Sequence, residues 1–84
     1  MDLRFVIRHR LKKLGLEQRG LAAVAHVTES YISQLLAGKK APPAPDRTDV
    51  YEKMEGFLRL PSGELSRLAG LQRQEYLKKR IADP

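Results

Sequence analysis

Apolar residues in this 84-residue chain recur at intervals of three and four, and glycine or proline cuts the rhythm into short pieces. No run alternates apolar with polar and the β-branched residues are scattered, so there is no strand signal and the expected fold is all-α. Asp2 is placed to cap a first helix in which Leu3, Ile7, Leu11 and Leu14 mark one face, and Gly15 ends it in the left-handed conformation. Gln18 to Ala25 form a second helix with Leu21, Ala22 and Ala25 inward. Thr28 caps a third, Glu29 to Ala37, whose Ile32, Leu35 and Leu36 fall together at about 100° per residue, and Gly38 closes it. Residues 41–45 (A-P-P-A-P) form a stiff connector, because proline lacks the amide donor and forces the preceding residue to be extended. Asp46 or Thr48 starts a fourth helix with Val50, Tyr51, Met54, Phe57 and Leu58 inward, and Leu60-Pro61 breaks it. Ser62 is the expected cap of a long fifth helix over residues 63–81, where Leu65, Leu68, Ala69 and Tyr76 cluster while Leu77 and Ile81 point elsewhere.

A chain this short is expected to be one domain, residues 1–84, with one core: a compact five-helix bundle with an extended C-terminal helix. Folding at this size removes only roughly 60% of the unfolded chain's surface from water, so function belongs on a surface. The absence of cysteine excludes a disulfide framework, a thiolate zinc site and a cysteine nucleophile, and fits a reducing compartment. With two remote histidines, His9 and His26, and no glycine-rich phosphate loop, the expectation is no enzyme, no cofactor and no metal. Sixteen Lys and Arg against ten Asp and Glu give a formal charge of +6, which points to a polyanionic partner. No stretch approaches the roughly 18 apolar residues of a spanning helix, and Met1 to Gly20 carries six cations where a signal peptide has its apolar centre. A soluble, cytoplasmic protein without membrane contact is therefore expected.

The most informative stretch is Leu16 to Gly38, where two short helices are separated by a tight turn, His26 to Thr28. That is helix-turn-helix geometry. Ala22 is small where the helices cross, Val27 fills the gap between them and Ile32 anchors the second helix to the core. Ser30, Ser33, Gln34 and Ala37 make its exposed face, flanked by Glu29 and Tyr31: short side chains that can enter a major groove. In Ile7, Gly15-Leu16, Gln18, Leu21-Ala22, Val27-Thr28, Ser30, Ile32-Ser33, Gly38-Lys39, Phe57-Leu58 and the run Leu60 to Leu65 (L-P-S-G-E-L), the chain resembles the phage-repressor helix-turn-helix family of lambda repressor and Cro, the XRE type.

The resemblance implies a motif over residues 17–38 that binds double-stranded DNA in a bacterial or phage transcriptional regulator, a repressor acting as a homodimer. Glu29, Ser30 and Gln34 fall where the family reads bases, and Gln18, Thr28, Tyr31, Ser33, Lys39 and Lys40 fall where it meets the phosphate backbone. Three positions depart from the pattern: His26 stands where glycine is usual, Gly20 stands mid-helix, and the proline connector adds residues before the fourth helix. His26 reads as a turn residue tolerating positive φ. The basic face of the first helix reads either as a DNA-facing stripe or as solvated surface. Leu77 and Ile81, four apart, suit a dimer contact. The end at Lys78-Lys79-Arg80 and Pro84 is compatible with a domain cut from a longer regulator, with a C-terminal effector domain or protein partner. The competing reading is a protein-interaction module or antitoxin component with the same fold, favoured by a recognition helix without Lys or Arg.

Overall fold

The computed structural model describes residues 2–44 and 46–82, and side-chain surroundings as far as Gln74. Five helices follow in order: α1 Leu3–Leu14, α2 Gln18–Ala25, α3 Glu29–Leu36, α4 Thr48–Leu58 and α5 Glu64–Ala82. No strand occurs among the described residues, so the fold is the expected all-α five-helix bundle with a long last helix. α2 packs on both α3 and α4, α1 crosses α3, α4 and α5, and α4 lies against α5.

The core is assembled from the inward stripes. α1 contributes Leu3, Val6, Ile7 and Leu11; α2 contributes Leu21, Ala22 and Ala25; Ile32 and Leu36 come from α3. Tyr51, Met54 and Leu58 of α4 and Leu65, Leu68 and Ala69 of α5 complete it. Val6, not Leu14, carries the fourth buried position of α1, because Leu14 is the last residue of the helix and stays half-buried. Val50 and Phe57 sit at the edge of the core. Tyr76 lies outside the residues whose surroundings are described, as do Leu77 and Ile81; Pro45 lies outside the described residues altogether.

Four helices stop in the same way. The residue after α1, α2 and α4 turns left-handed, at Gly15 (φ 66), His26 (φ 58) and Arg59 (φ 56), and after α3 the turn comes one residue later, at Gly38 (φ 79), beyond the right-handed Ala37. The next amide then reaches five residues back: Leu16 to the Leu11 carbonyl at 2.8 Å, Val27 to Ala22 at 3.0 Å, Lys39 to Gln34 at 2.9 Å and Leu60 to Glu55 at 2.9 Å. These closures satisfy carbonyls that a helix end leaves open. His26 takes the positive φ expected of it, and Arg59 is a second non-glycine that does so.

The helix starts differ more. Asp2 caps α1 through Oδ1, which accepts from the Arg4 amide at 2.8 Å, and the Arg4 side chain, then burial acting against it, leave the Asp2 carboxyl below the usual carboxylate range. α4 begins at Thr48 after Arg47, with no side-chain cap. At α5 the expected cap, Ser62, is displaced: Glu55 of α4 reaches across, its Oε1 accepting from the Gly63 amide at 3.1 Å and its Oε2 from the Leu65 amide at 2.7 Å. Glu55 is only 2% exposed. A buried carboxylate is tolerated here because two amides and the positive end of the helix dipole receive it.

Gly20 also has a tertiary reason. A Cβ there would stand 2.7 Å from Phe57 Cζ. The missing side chain lets α2 approach α4, at the cost of about 1 kcal/mol of helix propensity relative to alanine.

Candidate nucleic-acid interface

The motif is built by local rules. α2 ends at Ala25, His26 and Val27 make the turn, and Thr28 Oγ1 accepts from the Tyr31 amide at 3.0 Å to start α3. Val27 is half-buried against the core, filling the space between the helices. Ile32, Leu35 and Leu36 bury one side of α3, which turns the opposite side outward. Its C-terminus is fastened from outside the motif: Arg8 Nη2 of α1 donates to the Leu36 carbonyl at 2.7 Å. A Cβ at Gly38 would collide with the Arg4 guanidinium, so glycine there gives both the left-handed turn and room for Arg4.

Glu29, Ser30 and Ser33 are exposed on α3, and Gln34 is half-buried. Gln34 Nε2 donates to Ser30 Oγ at 3.1 Å, one turn apart, so the two present themselves as a pair. The Ser30 proton, the second Gln34 amide proton and the Gln34 carbonyl oxygen remain for a ligand. Gln18 and Thr28 are exposed at the N-terminal ends of the two helices. Thr28 spends an acceptor lone pair on its cap and keeps its hydroxyl proton to donate. Lys39 and Lys40 are exposed just after α3. Tyr31 differs from the rest: half-buried, it donates its hydroxyl to the Ala41 carbonyl at 3.3 Å, and burial pushes its pKa up. Phosphate oxygens only accept, so a phosphate contact by Tyr31 would have to break that bond.

Glu17, Gln18, Arg19 and Glu29 line one open polar hollow at the joint between α2 and α3. Arg19 Nε lies 2.7 Å from Glu17 Oε2. Glu17, and after it Glu29, hold the Arg19 guanidinium more firmly protonated. Glu29 therefore faces a solution-exposed cation across the hollow, which moderates the repulsion a lone carboxylate would meet beside phosphates.

Three arginines of α1 are engaged within the fold. Arg4 pairs with Asp2 at 2.8 Å, Arg8 holds the end of α3, and Arg10 donates from Nε to the Leu58 carbonyl and from Nη2 to the Arg59 carbonyl, both at 2.9 Å. Arg8 and Arg10 thus close the C-terminal ends of α3 and α4, where positive charge also suits the dipole. Lys12 and Lys13, in the last turn, are exposed. Sequence reasoning missed Glu55, Arg8 and Arg10 as positioning residues. A signal existed for Glu55, which sits among Tyr51, Met54 and Leu58 on the apolar stripe of α4. For the arginines there was none, because their acceptors are backbone carbonyls and any residue carries one.

Among the described residues no group of His, Cys, Asp or Glu could hold a metal, and no helix is long and apolar enough to cross a membrane. Residues 7–47 match the family model described as helix-turn-helix, from α1 through the connector to the residue before α4. No curated protein and no solved structure matches the chain significantly. With that match laid over α2, the His26 turn and the outward face of α3, residues 7–47 form a helix-turn-helix segment of the lambda-repressor-like, DNA-binding type.

Proposed function

We propose that the chain is a sequence-specific reader of duplex DNA acting as a transcriptional repressor, with α3 in the major groove. The observation that carries this reading is the division of labour around α3: short polar side chains on its outward face, and lysines only in the loop that follows. Phosphate contacts position a protein and base contacts specify the site, so the two sets belong in these two places. Glu29, Ser30 and Gln34 are the base readers in this reading. Gln34 can offer donor and acceptor to adenine, Glu29 can accept from the cytosine amino group, and Ser30 is permissive. Gln18, Thr28, Ser33, Lys39 and Lys40 meet the backbone, while Tyr31 serves as a brace. A homodimer on two half-sites, joined through the stretch of α5 that carries Leu77 and Ile81, completes the proposal.

Titration of duplex DNA at increasing salt tests it. Each phosphate neutralised contributes about −0.9 to the slope of log K against log salt, so a steep slope is expected, and Lys39→Ala with Lys40→Ala lowers it while weakening all sequences alike. Affinity insensitive to salt removes the DNA reading and favours the protein-interaction or antitoxin alternative, for which the cation-free α3 is the supporting observation. Selection of bound sequences from a random duplex pool then gives the operator. Glu29→Gln is expected to relax preference at one base pair per half-site, worth about 1 to 3 kcal/mol; an unchanged preference takes Glu29 out of the reader set.

A further inference from the structure

Three consecutive carbonyls of the proline connector are held by side chains from three different helices. Tyr31 of α3 donates to Ala41 at 3.3 Å, Arg73 Nη1 of α5 donates to Pro42 at 3.1 Å, and the Tyr51 hydroxyl of α4 donates to Pro43. An extended proline-rich segment makes no hydrogen bonds of its own, and its carbonyls ordinarily face water. Here Pro42 is buried and Tyr51 is fully buried beneath the segment. The three side chains also lie near enough to act on one another electrostatically: burial raises the Tyr51 pKa most, Tyr31 raises it further and Arg73 opposes them. The connector is thus tied down at Ala41, Pro42 and Pro43.

The residue placed by this arrangement is Lys40. On its N-terminal side the Gly38 amide bonds to the Leu35 carbonyl at 3.1 Å and the Lys39 amide to Gln34 at 2.9 Å, which fastens the backbone to α3. On its C-terminal side the carbonyls of Ala41, Pro42 and Pro43 are fastened to α3, α5 and α4. Lys40 stands between two anchors, exposed, with its backbone set before any ligand arrives. Ordering done in advance is not charged against binding.

We propose that Arg73 and Tyr51 are positioning residues for DNA binding, which hold the connector so that Lys40 meets the phosphate backbone at a set place. The proposal rests on the DNA reading above. Neither residue touches DNA in it: Tyr51 is buried, and half-buried Arg73 is directed at the connector through its Nη1 donor.

The test is salt-dependent titration of duplex DNA by the full chain and by Arg73→Ala, Tyr51→Phe and Lys40→Ala, singly and combined, at a temperature where circular dichroism shows each variant folded. Arg73→Ala and Tyr51→Phe are each expected to weaken binding by about 3- to 10-fold, the equivalent of one net hydrogen bond. Tyr51→Phe is also expected to lower the salt slope although it removes no charge, a change that a merely structural role would not produce. In the Lys40→Ala background neither variant has further effect. If Arg73→Ala keeps its full effect there, Arg73 contacts phosphate directly and the proposal is overturned; unchanged affinity in the folded variants overturns it too. Should Tyr51→Phe not fold, Arg73→Ala and its combination with Lys40→Ala carry the test alone. Failure of the unsubstituted chain to bind any duplex at low salt is a different result, which sinks the DNA reading itself.

Discussion

α3 and α5 both begin with a side-chain oxygen accepting from amides of the first turn, yet the oxygen comes from opposite directions. For α3 it is Thr28, the residue beside the helix. For α5 it is Glu55, which belongs to the preceding helix and is buried while doing it. The local cap can be changed without moving any other helix. The distant cap joins α4 to α5, so its loss is felt by both, and its bond to the Leu65 amide is buried. Position relative to the core, more than the chemistry of capping, decides what each contributes.

The largest effect is therefore expected at Glu55. Replacement by alanine leaves the buried Leu65 amide and the part-buried Gly63 amide without their acceptor, and with about 1 to 3 kcal/mol for an unsatisfied buried group and less for the other, the expected loss in urea denaturation is about 3 kcal/mol. Glu55→Gln, which keeps one good acceptor, recovers part of it. A loss below about 1 kcal/mol for Glu55→Ala would mean that water replaces the carboxylate, and the contrast between the two caps would disappear.

Gly20→Ala comes next and extends the comparison to the α2–α4 contact. Helix propensity favours the change by about 1 kcal/mol, but the new methyl meets the Phe57 ring, and overpacking costs about 1 to 3 kcal/mol. A net destabilisation of about 1 kcal/mol is expected. In a Phe57→Leu background the sign reverses and Gly20→Ala stabilises; a stabilising Gly20→Ala in the unaltered chain would show that the helices separate freely.

Thr28→Ala is expected to cost about 1 kcal/mol, with Thr28→Ser close to the original. Thermal melts at neutral pH decide this, since about 1 kcal/mol moves the midpoint by roughly 4 to 8 °C in a domain this size. Equal losses for Thr28→Ala and Glu55→Ala would erase the distinction between near and distant caps. The smallest effect concerns charge: Arg10→Met is expected to cost about 0.5 to 1 kcal/mol of stability by freeing the Leu58 and Arg59 carbonyls. The salt slope of DNA binding is expected to stay unchanged, in contrast to the lysine variants. A reduced slope would return Arg10 to the DNA-facing charges.

Much of the candidate site was legible beforehand because α1, α2 and α3 start and stop by short-range means. Asp2, Gly15, His26, Thr28 and Gly38 each act within a few residues, and a cap or a left-handed turn needs only its neighbours. The stripes at three and four gave the buried faces and, by subtraction, the outward set Glu29, Ser30 and Ser33. Gln34 was expected fully outward and is half-buried beside Ser30, a detail of how α3 is rolled on the core.

The sequence by itself determined the helices, their order and the outward face of α3, because periodicity and capping are properties of neighbouring residues. Only the tertiary structure decided which charges are free, what starts α5, why residue 20 is glycine and what holds the connector. Net charge counted Arg4, Arg8 and Arg10 with Lys39 and Lys40, whereas the fold commits the arginines to a carboxylate and to helix ends and leaves these lysines exposed. The proline run announced an extended segment but not its partners, because proline specifies its own backbone and the carbonyls it leaves open are claimed by whatever the other helices bring beside them.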